Sequence, residues 1–331
     1  MNSPANTLPL ASKIYIAGHR GLAGSAIVRE LQRQGYTNLV TRTHAELDLE
    51  DADATQRFFE QERPEIVFLA AAKVGGIHAN NIYPVDFLMS NLLIEANICR
   101  AAHRSQAKRL IFLGSSCIYP RDCPQPIREE YLLTGPLEAT NRPYALAKIA
   151  GIEMCWSYNR QYGTKWLAAM PTNLFGPGDN YDLNNSHVLP ALIRKMHEAK
   201  ISGAAEVVLW GSGKPRREFL YADDLANALV FLATLDDERY NVLVAPAQCP
   251  LINVGTGADL TIRELAETIA DVVGYTGKFV QDTSKPDGTM RKVLDVGKIQ
   301  GLGWKATTSL KQGINLTYKI FSSPEIQQAQ L

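Results

Sequence analysis

The sequence has no surplus of either charge. Its 34 basic and 34 acidic side chains cancel, so no overall field favours nucleic acid or an anionic membrane, and neither is expected as a partner. Cysteine is sparse. The five cysteines, Cys99, Cys117, Cys123, Cys155 and Cys249, include no Cys-x-x-Cys pair, and an odd, scattered set does not describe a disulfide framework. Reduced thiols in a cytoplasmic protein are the expectation. Among the six histidines, His19, His44, His78, His103, His187 and His197, no metal-binding spacing occurs, so no metal site is expected. Long apolar runs are missing too, since none approaches the ~20 residues that cross a bilayer. The first eleven residues hold no basic segment followed by an apolar core, so no signal peptide is expected there. Neither internal repeats nor low-complexity tracts are present.

What the chain does have is a recurring order of strand, turn and helix. Lys13-Ile14-Tyr15-Ile16-Ala17 reads as a buried strand, Gly18-His19-Arg20-Gly21-Leu22-Ala23-Gly24 as a glycine-rich turn, and residues 25–34 as an amphipathic helix. Glycines at these places permit a tight turn and close backbone approach, so that helix-terminal N–H groups can face a pyrophosphate. The spacing is Gly-x-x-Gly-x-x-Gly, not the Gly-x-Gly-x-x-Gly of the standard dinucleotide fingerprint. A second strand, near Leu39-Val40-Thr41, ends where an NAD site places an acidic residue against the ribose 2′-hydroxyl. Here the chain offers Thr41, Arg42, Thr43 and His44. A guanidinium without a carboxylate suits a 2′-phosphate, hence NADP, and Arg20 is placed to join it. The competing reading makes Arg42 a solvated surface charge. Asp48, followed by Leu49, either meets the adenine or caps the helix that begins near Asp51.

The alternation continues through a strand at 65–70, a loop Lys73-Val74-Gly75-Gly76, a long helix at 85–105 and a strand at 109–113. Units of this length imply right-handed crossovers and an α/β fold, a doubly wound parallel sheet with its ligand at the carboxyl ends of the strands. One such end is Leu113-Gly114-Ser115-Ser116-Cys117, and Tyr144 and Lys148 follow, four residues apart. A phenol titrates near ~10 in water and needs a neighbouring ammonium to favour its phenolate. Lys148 stands one helical turn away for that task. A serine hydroxyl at the strand end can hold the carbonyl or alcohol oxygen that exchanges a proton with Tyr144. Cys117 taken alone reads equally as a small buried hydrophobe.

From about residue 179 helical stretches and loops replace the regular alternation. The expected organisation is a nucleotide-binding domain at 12–178 to which 218–255 returns, a smaller, mostly helical substrate domain at 179–217 and 256–321, and a polar tail at 322–331. His187 falls at a helix start with Asn185 or Ser186 as the expected cap, where the helix dipole favours a neutral imidazole. Arg194 and Lys195 lie two turns further along that helix. Trp210, Lys214, Arg216 and Arg217 read as part of a loop with Gly211, Ser212 and Gly213. A flat indole and several cations suit a purine and a pyrophosphate, although each cation by itself is a surface charge.

Taken together, these segments resemble the extended short-chain dehydrogenase/reductase family, whose members bind a nicotinamide cofactor and rework nucleotide sugars. The resemblance is carried by Gly18-His19-Arg20-Gly21, Ala72-Lys73-Val74-Gly75-Gly76-Ile77, Gly114-Ser115-Ser116-Cys117-Ile118-Tyr119-Pro120, Pro171-Thr172-Asn173-Leu174, Asn185-Ser186-His187-Val188 and Lys285-Pro286-Asp287-Gly288-Thr289. It implies a Rossmann-type sheet, NADP(H) as cofactor and a GDP-sugar as substrate. NADP(H) would be held by Gly18, His19, Arg20, Gly21, Leu22, Ala23, Gly24, Arg42, His44, Asp48, Leu49, Leu113, Gly114, Ser116, Lys148, Pro171, Thr172, Asn173, Leu174 and His187.

By the same resemblance Ser115, Tyr144 and Lys148 form a reductase triad, and Cys117 and His187 an acid/base pair that inverts two carbons of GDP-4-keto-6-deoxy-D-mannose before reduction. The chemistry suits these residues, because a 4-keto group acidifies the protons on C3 and C5, and thiol and imidazole are readily poised near neutrality. Lys195, Trp210, Arg217, Asp287 and Lys292 are implied to hold the GDP-sugar, and a homodimer is implied through the helices near 85–105 and 144–162. Two positions depart from the pattern. Lys195 stands in place of an arginine, which turns a bidentate phosphate contact into a point charge, and His44 stands where an arginine would meet the 2′-phosphate. Alternatives within the fold are a UDP-sugar 4-epimerase or a sugar 4,6-dehydratase. A dehydratase carries acidic residues where this chain has Cys117, and the absence of an acid after the second strand disfavours NAD. A non-catalytic NADP sensor would have no need of Ser115, Tyr144 and Lys148 together.

Overall fold

A computed structural model describes residues 8–183, 185–284 and 287–323. Lys285 and Pro286, and the tail from residue 324 onward, lie outside the described residues. The first part of the chain runs β1 (Ile14–Ala17), α1 (Leu22–Arg33), β2 (Leu39–Val40), α2 (Ala52–Glu62), β3 (Ile66–Leu69), α3 (Ile77–Ile82), α4 (Pro84–Arg104), β4 (Arg109–Leu113), α5 (Arg142–Tyr162) and β5 (Trp166–Pro171). It continues with β6 (Asn173–Phe175), α6 (Val188–Ser202), β7 (Glu206–Trp210), β8 (Arg216–Tyr221), α7 (Ala222–Ala233), α8 (Asp237–Leu243) and β9 (Leu251–Val254). The last elements are β10 (Asp259–Thr261), α9 (Ile262–Val273), β11 (Lys278–Asp282), β12 (Arg291–Lys292), α10 (Gly297–Gly301) and α11 (Leu310–Phe321).

Six strands pair in the order β2-β1-β3-β4-β5-β9, every pair parallel. Strands β1, β3, β4, β5 and β9 are buried along their whole length, as continuous apolar runs covered on both faces must be. The doubly wound α/β sheet expected from the sequence is therefore present. The late strand β9 pairs with β5 from Ala168↔Leu251 to Pro171↔Val254. Helix α7 packs on α1, where Asn227 donates to Glu30 at 2.8 Å and Arg29 pairs with Asp223.

A second apolar core gathers Phe175, Leu189, Ile193, Met196, Leu209, Phe219, Leu265, Ile269 and Ile314. Around it stand α6, α9 and α11 together with short strands: β11 beside β7, and β8 between β10 and β12 with β6 alongside. The segment read as a loop from Trp210 to Arg217 is thus bounded by two strands. In β7, Val207 and Leu209 point inward while Glu206, Val208 and Trp210 point out, a period of two too short to stand out in the sequence. Helix α1 begins at Leu22, three residues earlier than expected, because the glycine turn feeds straight into its first turn. The cap expected at Asn185 or Ser186 is not found. His187 itself occupies the N-cap of α6, and no side chain caps that helix.

One carboxylate ties the two cores together. Glu218 on β8 is buried, and its Oε1 accepts from the backbone N–H of Thr256 at 2.6 Å and of Gly257 at 2.8 Å, while Oε2 accepts from Leu294 N–H at 2.8 Å. Its main-chain carbonyl accepts from Thr172 Oγ1 at 3.1 Å and Asn173 Nδ2 at 2.8 Å. Burial raises the Glu218 carboxyl, and these bonds oppose the rise. Glu218→Gln points an amide N–H at one or more of these donors, leaving buried groups without acceptors. We expect it to lose about 1–3 kcal/mol of unfolding free energy, measured by chemical denaturation. An unchanged midpoint would contradict the tie.

Candidate active site

A cavity of about 1130 Å³ opens at the carboxyl ends of the sheet strands, above the usual ~300–1,000 Å³ of a small-molecule pocket. One end is built by the glycine turn. Gly18 has φ +82°, and a Cβ on Gly24 would lie 2.1 Å from the Gly18 carbonyl oxygen, so both positions demand glycine. Gly21 caps α1 with no side chain on the first N–H groups and no acid in the first turn. The N–H groups of Leu22, Ala23 and Gly24 therefore have no helical acceptor, and all three residues line the cavity. That is the donor set a diphosphate requires.

Arg42 and His44 stand at the end of β2 and line the same cavity. Arg42 is held by Glu62 at 2.7 Å and by its own donation to the Thr41 carbonyl at 2.8 Å, with its guanidinium 5.4 Å from the Phe58 ring centre. His44 is exposed, 3.8 Å from Asp48. Asp51, not Asp48, caps α2 by accepting from Ala54 N–H at 2.9 Å, which leaves Asp48 and Leu49 on the cavity wall. Leu113, Gly114, Ser116, Pro171, Thr172, Asn173 and Leu174 also line it. His19 and Arg20 are not among its lining residues. Arg20 is exposed, and His19 has a buried Nδ1 without a hydrogen-bond partner.

The reacting groups meet in the middle. After β4 the chain turns through a short 3-10 segment at Ser116–Ile118, and Ser115 Oγ accepts from Cys117 N–H at 3.4 Å. Burial raises the Cys117 thiol, with Lys292, the Ser115 bond and Lys148 opposing. Tyr144 sits in the first turn of α5, edge-on to Phe87. Burial lifts its phenol well above the ordinary value, and Cys117 and Glu95 push the same way. The Lys148 ammonium lies 5.9 Å from the Tyr144 ring centre, and 3.1 Å from Glu95 Oε1. Burial thus favours the protonated phenol at Tyr144. His187 faces the cavity from the start of α6, and loss of surrounding water lowers its imidazole below the usual value. Its segment is braced from the Lys73–Gly76 loop, where Gly76 N–H donates to the Asn185 carbonyl at 3.2 Å.

The far wall carries charge. Arg217 on β8 and Lys292 on β12 are register partners, and burial lowers both cations. Asp287 is pinned by Ser212, whose N–H and Oγ donate to it at 2.6 and 2.8 Å. Trp210, Arg217, Asp287 and Lys292 line the cavity, whereas Lys195 does not. Its Nζ lies 5.3 Å from the Trp210 ring centre and 3.5 Å from the Val208 carbonyl. Arg194 and Arg216 are engaged elsewhere, with Glu198 and the Tyr181 carbonyl, and with Asp259.

Two acidic groups escaped the sequence reading. Asp179 lines the cavity with a buried Oδ2 that has no hydrogen-bond partner among the described residues, and burial pushes its carboxyl up to about 7. Glu95, within the apolar run Leu92-Leu93-Ile94-Glu95, is fully buried on α4 and pushed up to about 7 by burial, against the pull of Lys148. The signal was its place: Phe87, Asn91, Glu95 and Cys99, each four apart, form the buried stripe of that helix.

A parallel sheet whose glycine turn shares one cleft with a serine, a tyrosine and a lysine defines a dinucleotide-dependent enzyme fold. The chain belongs to the NAD dependent epimerase/dehydratase family, whose model matches residues 14–243. Within that class it is 55% identical over 309 residues to GDP-L-fucose synthase of Escherichia coli strain K12, covering 93% of this chain and 96% of that protein. It is 54% identical over 330 residues to putative GDP-L-fucose synthase 2 of Arabidopsis thaliana, covering 100% and 98%. The crystal structure of a GDP-L-fucose synthetase from Naegleria fowleri bound to NADP matches with a TM-score of 0.86 at 32% identity, covering 97% of this chain and 95% of that one.

Gly151 on α5 leaves the space in which Glu95 and Lys148 meet: a Cβ there would lie 2.3 Å from the Phe112 ring and 2.8 Å from Glu95 Oε2. Gly151→Ala is expected to destabilise the fold by about 1–3 kcal/mol through overpacking, read from thermal and denaturant unfolding. A gain in stability, as ordinary helix propensity would give, would refute the close fit.

Proposed function

We propose that this protein converts GDP-4-keto-6-deoxy-D-mannose to GDP-L-fucose with NADPH, inverting C3 and C5 and then reducing C4. The observation that carries the reading is the convergence of Ser115, Cys117, Tyr144, Lys148 and His187 on one cleft that also contains the glycine turn. The family and the names of its relatives support the same substrate. The open N–H groups of α1 fit a diphosphate, and Arg42 and His44 at the end of β2 fit a 2′-phosphate, which would compete with Glu62 for the Arg42 guanidinium. Bound there, NADPH would supply the hydride for C4.

The chain's own groups do the rest. Cys117, a protonated thiol, and His187, a neutral imidazole, hold one proton between them. That complement is what one abstraction and one return of a proton at each carbon require. Ser115 donates to the keto oxygen, and Tyr144 gives that oxygen its proton as the C4 alcohol forms. Arg217 and Lys292 meet the diphosphate of the substrate, Trp210 stacks on its purine, and Asp287 accepts from a donor on it. Lys195, over the indole, sets that ring and adds a point charge at the entrance.

The same reading includes a cytoplasmic homodimer. Among the described residues no helix is long and apolar enough to cross a membrane. Val85, Met89 and Leu93 on α4 and Leu146 on α5 are exposed apolar side chains on two helices packed together, a surface that a second copy would cover. Sedimentation should give a dimer, and a monomer at micromolar concentration would remove this part of the proposal.

Purified protein given the keto sugar should oxidise NADPH and release GDP-L-fucose; turnover of a UDP-sugar instead would sink the assignment. In deuterated water Cys117→Ser should slow exchange at C3 and C5 by about a hundredfold or more, whereas Tyr144→Phe should slow reduction and spare exchange. Exchange should also fall in acid, at a pH below the ~6.5 of a free imidazole because desolvation lowers His187, since its protonation leaves the pair two protons and no base. Exchange that stays constant on the acid side until the protein unfolds would exclude His187 from the pair.

A further inference from the structure

Lys148 is enclosed by protein. Its side chain is 2% exposed, its Nζ sits 4.7 Å from the Phe112 ring centre, and its ion-pair partner is Glu95 at 3.1 Å, itself 1% exposed. No well-directed hydrogen bond reaches either Glu95 oxygen, so the pairing with Lys148 is the polar contact Glu95 makes among the described residues. Gly151 supplies the room: a Cβ there would press on the Phe112 ring at 2.3 Å and on Glu95 Oε2 at 2.8 Å. An ammonium in such surroundings loses its charge unless a countercharge accompanies it. The other titratable groups facing Glu95 are Tyr144 and Cys155 from α5, and Cys99 lies one turn along on α4. None of these three is a cation, and each is neutral when protonated.

We propose that Glu95 is a positioning residue for the reduction: it keeps Lys148 an ammonium and fixes where that ammonium stands relative to Tyr144. This rests on the reductase reading above. Glu95 touches neither the cleft nor the groups that invert C3 and C5. Its loss should therefore separate the two half-reactions. While Tyr144 donates, negative charge grows on the phenol oxygen. The nearby ammonium stabilises that charge, and a lysine that has lost its proton cannot.

The test is Glu95→Gln in the full-length protein, assayed with GDP-4-keto-6-deoxymannose for NADPH oxidation and, separately, for deuterium uptake at C3 and C5. Reduction should fall by about tenfold or more with KM for NADPH within about twofold, and its loss of rate on the alkaline side should begin at lower pH than in the parent. Exchange should change far less than reduction, because Lys148 acts on the Cys117 thiol less than Lys292 and the Ser115 bond do, and Glu95→Asp should restore part of the reduction. Equal loss of both half-reactions, or an unchanged rate and pH profile, overturns the proposal. Should Glu95→Gln fail to fold, the double variant with Lys148→Met must fold, because the role is directed at that ammonium; failure of both also overturns it. A parent protein inactive toward this sugar in both assays would instead condemn the substrate assignment.

Discussion

The carboxylate of Glu218 is surrounded by backbone N–H groups from the loop after β9 and from Leu294, two residues past β12. Its own carbonyl receives Thr172 and Asn173 from the end of β5. Three segments distant in sequence thus meet on one residue. Arg217 precedes it and Lys292 lies across from Arg217, so the cationic wall is fixed against the end of the sheet that holds the cofactor side. A loop-borne pair of cations would not keep that spacing. A carboxylate with three converging donors holds it to within hydrogen-bond tolerance.

The cleft also runs on ionisable groups whose charge is disfavoured by desolvation. Burial raises the phenol of Tyr144 and the thiol of Cys117 and lowers the imidazole of His187. Each shift keeps the group neutral at rest. Three groups able to give or take a proton therefore stand together in one cleft without a net charge among them. Lys148 is the exception, and Glu95 balances it at 3.1 Å. Such a pair is no bargain for stability, since its desolvation offsets its attraction; its retention in an apolar helix stripe points to chemistry.

Much of the nucleotide half was legible because fully buried parallel strands are continuous apolar runs, as in Ile66–Leu69 and Arg109–Leu113. The glycine turn and the Ser115, Tyr144 and Lys148 set were legible for the same local reason. What escaped depended on partners far away. Trp210 and Arg217 read as loop residues because β7 pairs with β11, and β8 with β10 and β12 as well as with β6 across the whole of α6, all partners distant in sequence. The α6 cap was misplaced because Asn185 is engaged with Asp182 and with the Gly76 N–H. Glu95 drew no reading from the sequence, and the packing of α5 on α4 is what shows that its stripe faces inward.

The late return of α7 to the face of α1 bears on how the chain emerges during synthesis. Helix α1 is complete at Arg33, yet the helix that packs on it ends at Ala233, two hundred residues later. At ~5–20 residues per second that interval is about 10–40 s. Throughout it, the α1 side of the sheet stands without its α7 cover, and β5, complete at Pro171, lacks its neighbour β9 until Val254 has been made. The nucleotide fold is therefore completed from the carboxyl-terminal part of the chain, and a nascent chain cut short before residue 254 carries an unsealed sheet edge.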